Sequence, residues 1–326
     1  MGVLILGEAD VAQLLPMDEC VEVMAEALEA LERGEMHQPL RFVVRPPDAA
    51  GLLGLMPAHR SGATPAFGLK AVCVMPGNPA RGLDAHQGVV ILSDGETGEV
   101  RAVVNASAIT AIRTAAVSAV ATRLLAREGA RELAVLGAGV QARSHLDAMA
   151  VARDFEVARI WTRTPDHAQA VAEEADAPFP IEVASSAAEA VRNADVICTT
   201  TSAPEPVLQR EWLRDGAHVN AVGSSIPTTR EVDTATMAAA ALFVDRREST
   251  LNEAGDFLFP QQEGAIGPEH IRAELGELLA GRAEGRTSDE ELTVFKSLGL
   301  AVEDLAAAEH VYRRARETGA GTEVEL

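Results

Sequence analysis

Val21, Met24, Ala25, Leu28 and Leu31 recur at the spacing of one helical face between Pro16 and Gly34, which predicts an amphipathic helix over Met17 to Arg33. From about Phe42 to Val104 the pattern shortens to β-rich runs, FVVR, GLKAVCVM, GVVILSD and EVRAVV, divided by Pro, Gly and Asn turns. That is the texture of an antiparallel sheet, with SDGETGE as the turn between its last two strands. A second helical stretch, Ala108 to Arg127, is rich in Ala and Thr and is expected to join this half to the next. Beyond Glu132 strands and helices alternate: ELAVLG, a helix near Val140 to Ala152, VARIWTR, a helix near Pro165 to Ala175, IEVAS, a helix near Ala187 to Asn193, and DVICTTT. HVNAVG and ALFVDR are further strands. Such alternation implies parallel strands with right-handed crossovers. Val302 to Arg316 predicts a terminal helix whose packing partner the pattern does not fix, and Ala280 to Asp289 a polar loop.

The most specific local signal is Gly137-Ala138-Gly139-Val140-Gln141-Ala142, which follows the strand ELAVL and opens a helix inside a βαβ unit. Gly137 suits a tight turn, Gly139 lets backbone approach a pyrophosphate, and Ala142 allows close helix packing. The free N–H groups of the helix start attract the anion, so this is a candidate dinucleotide cradle. At the end of the next strand an NAD-selective site offers Asp or Glu to the ribose, whereas this chain has Thr162-Arg163-Thr164. A guanidinium between hydroxyls suits a 2′-phosphate, so NADP(H) is favoured, with NAD(H) as the alternative. Thr199-Thr200-Thr201 and Val222-Gly223-Ser224 end two later strands, where ligands bind in such sheets.

Length changes the picture next: 326 residues, 47% of them hydrophobic, suffice for two domains. With 49 acidic against 28 basic residues the net charge is -21, which repels phosphate backbones and argues against nucleic acid as a partner. The opening MGVLILGEADV has no basic leader, and no long uninterrupted apolar run stands out, so a cytoplasmic protein without a membrane partner is expected. Cys20, Cys73 and Cys198 are widely spaced, against both a disulfide framework and a cysteine metal site, and are expected to be small buried side chains. Lys70 and Lys296 are the only lysines. Where lysine is so scarce, each invites an explanation.

Arg41, Lys70 and Arg113 stand beside apolar runs, where an uncompensated charge costs several kcal/mol, about 3–5 for a broken buried pair. Each therefore calls for an anion, either a substrate carboxylate or an internal Asp or Glu. The strings QPLRFVV, LMPAH, GLKAV, HQGVVIL, AIRTAAVSAVAT, VLGAGVQARSH, WTRT, HVNAVGSS, REVD and FKSLGLAVED carry a resemblance over nearly the whole chain. It resembles the ornithine cyclodeaminase/mu-crystallin family, and within it the ketimine-reductase branch. The resemblance implies a homodimer and an α/β fold: a Rossmann-type doubly wound parallel sheet at 118–302, with a second α+β domain for substrate binding and dimerisation. That second domain is expected to comprise 1–117 plus 303–326, the C-terminal helix returning to the first half.

The resemblance also implies roles. Arg41, Lys70 and Arg113 match positions that hold a substrate carboxylate, and Lys70 and Asp233 are the catalytic candidates. Asp233 is expected near the reacting nitrogen, its alternative being a helix N-cap before Thr234 to Ala241. His86 and Thr114 join the cradle residues on the cofactor side. Lys296 is expected in a structural role, with Glu303 or Asp304 as possible partners. Ornithine cyclodeaminases tend to carry a glutamate just before their LMP string, where this chain has Gly54. The expected function is hydride transfer between a nicotinamide and the C–N bond of a small amino or imino acid, as in a ketimine reductase or alanine dehydrogenase. Cyclodeamination with a recycled cofactor, and non-enzymatic carriage of NADPH or a small ligand, are the alternatives.

Overall fold

A computed structural model describes residues 2–325. The chain divides into two compact units, Met1–Arg113 with Leu300–Leu326, and Thr114–Gly299. The divisions expected at 117/118 and 302/303 lie a few residues further along the chain.

The first unit opens with β1 (Val3–Leu6), α1 (Glu8–Leu14) and α2 (Met17–Glu32). The face of α2 that is buried consists of Cys20, Val21, Met24, Ala27 and Leu28, at the expected helical spacing. Strands β2 (Met36–His37), β3 (Phe42–Val44), β4 (Leu52–Arg60), β5 (Ala66–Val74), β6 (His86–Asp94) and β7 (Val100–Asn105) follow. They are antiparallel in the order β7-β6-β5-β4-β2, with β3 also on β4 and β1 parallel to β7. Strand β4 was not anticipated, because Gly54 and Pro57 interrupt its β-rich texture. Cys20 and Cys198 are buried as expected, but Cys73 is exposed: β5 alternates, and position 73 faces outward.

Helix α3 (Ala106–Leu125) spans the boundary between the units. By length and composition it is apolar enough to cross a membrane, contrary to the expectation of no such run, yet most of it is buried inside the protein.

The second unit runs β8 (Glu132–Leu136), α4 (Val140–Ala152), β9 (Val157–Trp161), α5 (Pro165–Glu174), β10 (Ile181–Val183), α6 (Ala187–Val191), β11 (Val196–Thr199) and β12 (His218–Ala221). It continues through α7 (Thr234–Ala239), β13 (Ala241–Val244), α8 (Arg247–Glu253), α9 (Gly255–Gln262), β14 (Ile271–Glu274), α10 (Leu275–Leu279) and β15 (Thr293–Lys296). All eight strands are parallel, in the order β10-β9-β8-β11-β12-β15-β13-β14. The order reverses between β8 and β11, which is the ligand-binding switch point of a doubly wound sheet. The last strand in sequence, β15, is inserted between β12 and β13.

The chain then returns to the first unit as α11 (Ala301–Thr318) and β16 (Thr322–Val324), which pairs with β1. Helix α11 packs on α2 and across β4, β5 and β6.

Candidate functional site

Each unit contributes a group of candidate residues. In the first, the alternation of β5 turns Gly68, Lys70 and Val72 to the buried face. A Cβ at Gly68 would meet Leu305 Cβ and Cδ1 at 3.0 Å, so glycine there lets α11 settle closely on the strand. That approach brings Asp304 to Lys70, whose Nζ donates to Oδ1 at 3.2 Å. The same oxygen accepts from Arg113 Nε at 3.0 Å, and Arg113 Nη1 donates to Glu303 Oε2 at 2.9 Å. All four side chains are exposed by 4% or less. Glu303 Oε2 also accepts the Leu300 N–H, and Gln38 Oε1 accepts the Val302 N–H, so the first turn of α11 is held from two sides.

Burial pushes the Lys70 ammonium down to about 8, Asp304 opposing this and the charges of Arg113 and Arg41 adding to it. Half-buried Arg41, just ahead of β3, thus stands within the field of the same lysine. Surrounding chain and the charge of Lys70 hold the ring of His86, an exposed residue at the start of β6, below its ordinary value. The anions that Lys70 and Arg113 call for are therefore supplied in part from within. Lys70 and Arg113 are thus paired with Asp304 and Glu303, and the charge of Arg41 reaches the same lysine.

In the second unit, Gly137 has φ +128°, and a Cβ there would lie 2.6 Å from Thr200 Oγ1 and 2.7 Å from its carbonyl oxygen. Only glycine makes this turn. Gly139 is the N-cap of α4 and has nothing within 4 Å of where its Cβ would stand. Val140 beside it is exposed and Ala142 fully buried. An open hollow at the start of a 13-residue helix fits a pyrophosphate. Half-buried Gln141 offers its carbonyl to His145 Nδ1 at 2.7 Å, and His145 Nε2 meets Ser118 Oγ at 2.9 Å, fastening α4 to α3 one turn after buried Thr114. Partly buried Ala138 completes the turn. At the end of β9, Thr162 is half-buried while Arg163 and Thr164 are exposed, and the Thr164 hydroxyl makes no cap to α5.

Thr200, Thr201, Val222 and Gly223 lie at the ends of β11 and β12 as expected, but their polar groups turn inward. Thr200 Oγ1 donates to Leu136 O at 3.1 Å, and the Val222 N–H to Thr199 O at 3.0 Å. Glu231, fully buried, accepts from Thr199 Oγ1, Thr201 N, Thr201 Oγ1 and Gly223 N at 2.6 to 2.8 Å. Burial, then neighbouring Asp256, raises this carboxyl. Asp256 Oδ1 accepts the N–H groups of Glu231 and Val232, and its Oδ2 pairs with Lys296 Nζ at 3.0 Å. Lys296 also donates to Ala221 O and Ser224 O.

Lys296 is thus structural, as expected, but its partner is Asp256 rather than Glu303 or Asp304. Asp233 is the N-cap of α7, its Oδ1 accepting the Thr236 N–H at 2.9 Å. Sequence reasoning missed Glu231, Asp256, and the clamping use of Glu303 and Asp304. The signal that could have found them is an acid that apolar patterning places inside.

The family model described as the ornithine cyclodeaminase/mu-crystallin family matches residues 2–319. The chain is 39% identical over 326 residues to Delta(1)-pyrroline-2-carboxylate reductase of Bacillus cereus, covering 99% of this chain and 100% of that one. It is 44% identical over 279 residues to ketimine reductase mu-crystallin of Mus musculus, covering 86% and 85%. The solved structure of Thermococcus litoralis Delta(1)-pyrroline-2-carboxylate reductase in complex with NADH and L-proline superimposes with a TM-score of 0.96 at 37% identity, covering 99% and 100%.

Proposed function

Because the chain belongs to the ornithine cyclodeaminase/mu-crystallin family, we propose that it is a nicotinamide-dependent oxidoreductase that reduces the C=N bond of a small cyclic imino carboxylate. The observation that carries the reading is the buried ion cluster in which Lys70 and Arg113 meet on one oxygen of Asp304 with Arg41 nearby, cations of the kind that hold a substrate carboxylate. The relatives named for pyrroline carboxylate and ketimine reduction support the substrate class.

Arg41 and Arg113 bind and orient the carboxylate, and Lys70 points its ammonium at the same group. When bound, the dinucleotide supplies the hydride that the imine carbon takes up. Lys70 supplies the matching proton: an Nζ–H bond breaks, an N–H bond forms on the substrate nitrogen, and solvent reprotonates the lysine. With its value near 8 the lysine is charged at neutral pH and still a competent acid. Asp233 caps α7 through Oδ1, and its carboxylate is the alternative group for the proton exchange. Thr162, Arg163 and Thr164, with no carboxylate among them, favour NADP(H) over NAD(H). The exposed apolar edge of Phe42, Val43 and Val44 on β3 supports a homodimer.

Gly54 counts against cyclodeamination, since a second amine on the substrate would find no carboxylate at that position. The test is a panel of five- and six-membered cyclic ketimine carboxylates, pyruvate with ammonia, and ornithine, each followed for NADPH oxidation and for ammonia. NADPH consumption with the cyclic imines is expected. Ammonia from ornithine at constant nicotinamide absorbance, or tight NADPH binding without any turnover, would overturn the reading.

A further inference from the structure

Asp304 occupies an unusual place: one oxygen, Oδ1, accepts from both Lys70 Nζ and Arg113 Nε, and the side chain is 1% exposed. Its helix turn is fixed by Gln38 and by the Glu303 link to Leu300, so the oxygen cannot easily follow a movement of either cation. Lys70 is faced by Asp304 of α11, Arg113 of α3, Arg41 ahead of β3 and His86 of β6, with Glu303 reaching Arg113. Among these, Asp304 is the carboxylate that touches the lysine.

We propose that Asp304 is a positioning residue that keeps Lys70 ionised and holds it in register with Arg113, so that one point in the fold sets both the binding charge and the proton donor. The proposal rests on the imine-reductase reading for its catalytic meaning. Without Asp304, Lys70 would stay buried beside Arg113 without the carboxylate that touches it. Lysine is the one of the two able to shed its charge, since guanidinium does not deprotonate in proteins. Two consequences follow from loss of the Asp304 charge: Lys70 gives up its proton at lower pH, and the reductase loses its acid at lower pH.

The chain's scarcity of lysine makes this directly readable. With Lys70 and Lys296 its only lysines, protein labelled with carbon-13 at lysine Cε gives two lysine signals, assignable by Lys70→Ala. Titration of that signal in the full chain, with neither cofactor nor substrate, follows Lys70 itself. In Asp304→Asn the Lys70 midpoint should fall by about one pH unit or more, as removal of an opposite charge at this distance implies. The alkaline limb of kcat/KM should move down with it, whereas Glu303→Gln, which removes a charge that does not touch Lys70 and keeps an oxygen able to accept the Leu300 N–H, should leave the midpoint closer to that of the native protein. An unchanged or raised midpoint in Asp304→Asn overturns the proposal.

Should Asp304→Asn fail to fold, as collapse of lysine signal dispersion would show, Asp304→Glu decides. It keeps the charge but displaces the shared oxygen, so the midpoint should hold while kcat/KM falls about tenfold or more; native kcat/KM overturns the proposal. If the native protein turns over none of the imines while the titration behaves as described, the reductase reading fails and the Asp304 assignment to Lys70 stands.

Discussion

The two lysines are both buried and both paired with an aspartate, yet their surroundings differ in sign. Lys70 shares Asp304 with Arg113, within the field of Arg41. Lys296, with 0% exposure, faces Asp256 and donates to two carbonyl oxygens, and beside Asp256 lies the buried acid Glu231. The first group gathers two cations on one carboxylate oxygen. The second is satisfied internally, and through Glu231 and Lys296 it braces the ends of β11, β12 and β15. On the proposed reading, the same pair of residue types serves ligand binding in one unit and architecture in the other. What separates them is the company of the pair: a second cation on the aspartate in the first, carbonyl oxygens and a second acid in the other.

The contrast breaks most visibly on substitution of the lysines. Lys70→Ala should lower kcat/KM by about 10³-fold or more, through loss of the proton donor and part of the clamp, while the melting transition stays within a few degrees of the native one. Lys296→Met should do the reverse. It leaves Asp256 buried without its cation, so denaturant unfolding should show a loss of about 3–5 kcal/mol. Native stability in Lys296→Met would end the bracing account.

Acid should divide the units next. Burial pushes His145 down to about 4 and His218 to about 3, so both are neutral in the folded second unit. Unfolding lets them take up protons at their ordinary value near 6.5. Their contribution is therefore full above about pH 6.5 and is lost as pH falls towards 4, and the melting temperature should drop by about 5 °C between pH 7 and 5. Substituting both histidines with Gln should flatten that slope. The first unit shows its own pH signature in activity, because Lys70 must be charged to act: kcat/KM should fall as pH rises above about 8.

The smallest effect is expected at the ribose end of the cradle. Arg163→Ala should reduce preference for NADPH over NADH by about tenfold in Kd, a loss of one charge-assisted contact. Equal affinities before and after substitution would remove Arg163 from cofactor selection.

Much of this was legible in sequence where the signal is local. The run Val140 to Ala152 folds as the helix α4 its spacing implied, and Gly137 makes the tight positive-φ turn that its place in the motif suggested. Strand β15 was not placed, because it enters the sheet between β12 and β13 although it follows both in the chain. The partner of Lys296 lies forty residues earlier, at Asp256, while Glu303 and Asp304, nearer in sequence, belong to the other unit. Val302 to Arg316 read as an acidic terminal helix whose packing partner the pattern did not fix, and Glu303 and Asp304 as possible partners of Lys296. Glu303 and Asp304 are buried, since Gly68 admits the helix close to β5 and the cations there neutralise them. Such placement depends on three distant segments meeting, and no window of sequence contains it.

The central proposal is that the cations gathered at Asp304 receive an imino carboxylate for reduction by a nicotinamide. It is tested most directly by mass analysis of the product formed from Delta(1)-pyrroline-2-carboxylate and NADPH carrying deuterium at C4 on both faces. The account predicts proline bearing a single deuterium at the α-carbon, with one nicotinamide oxidised per molecule formed. Unlabelled proline, or no proline from the native protein at saturating cofactor, would contradict it.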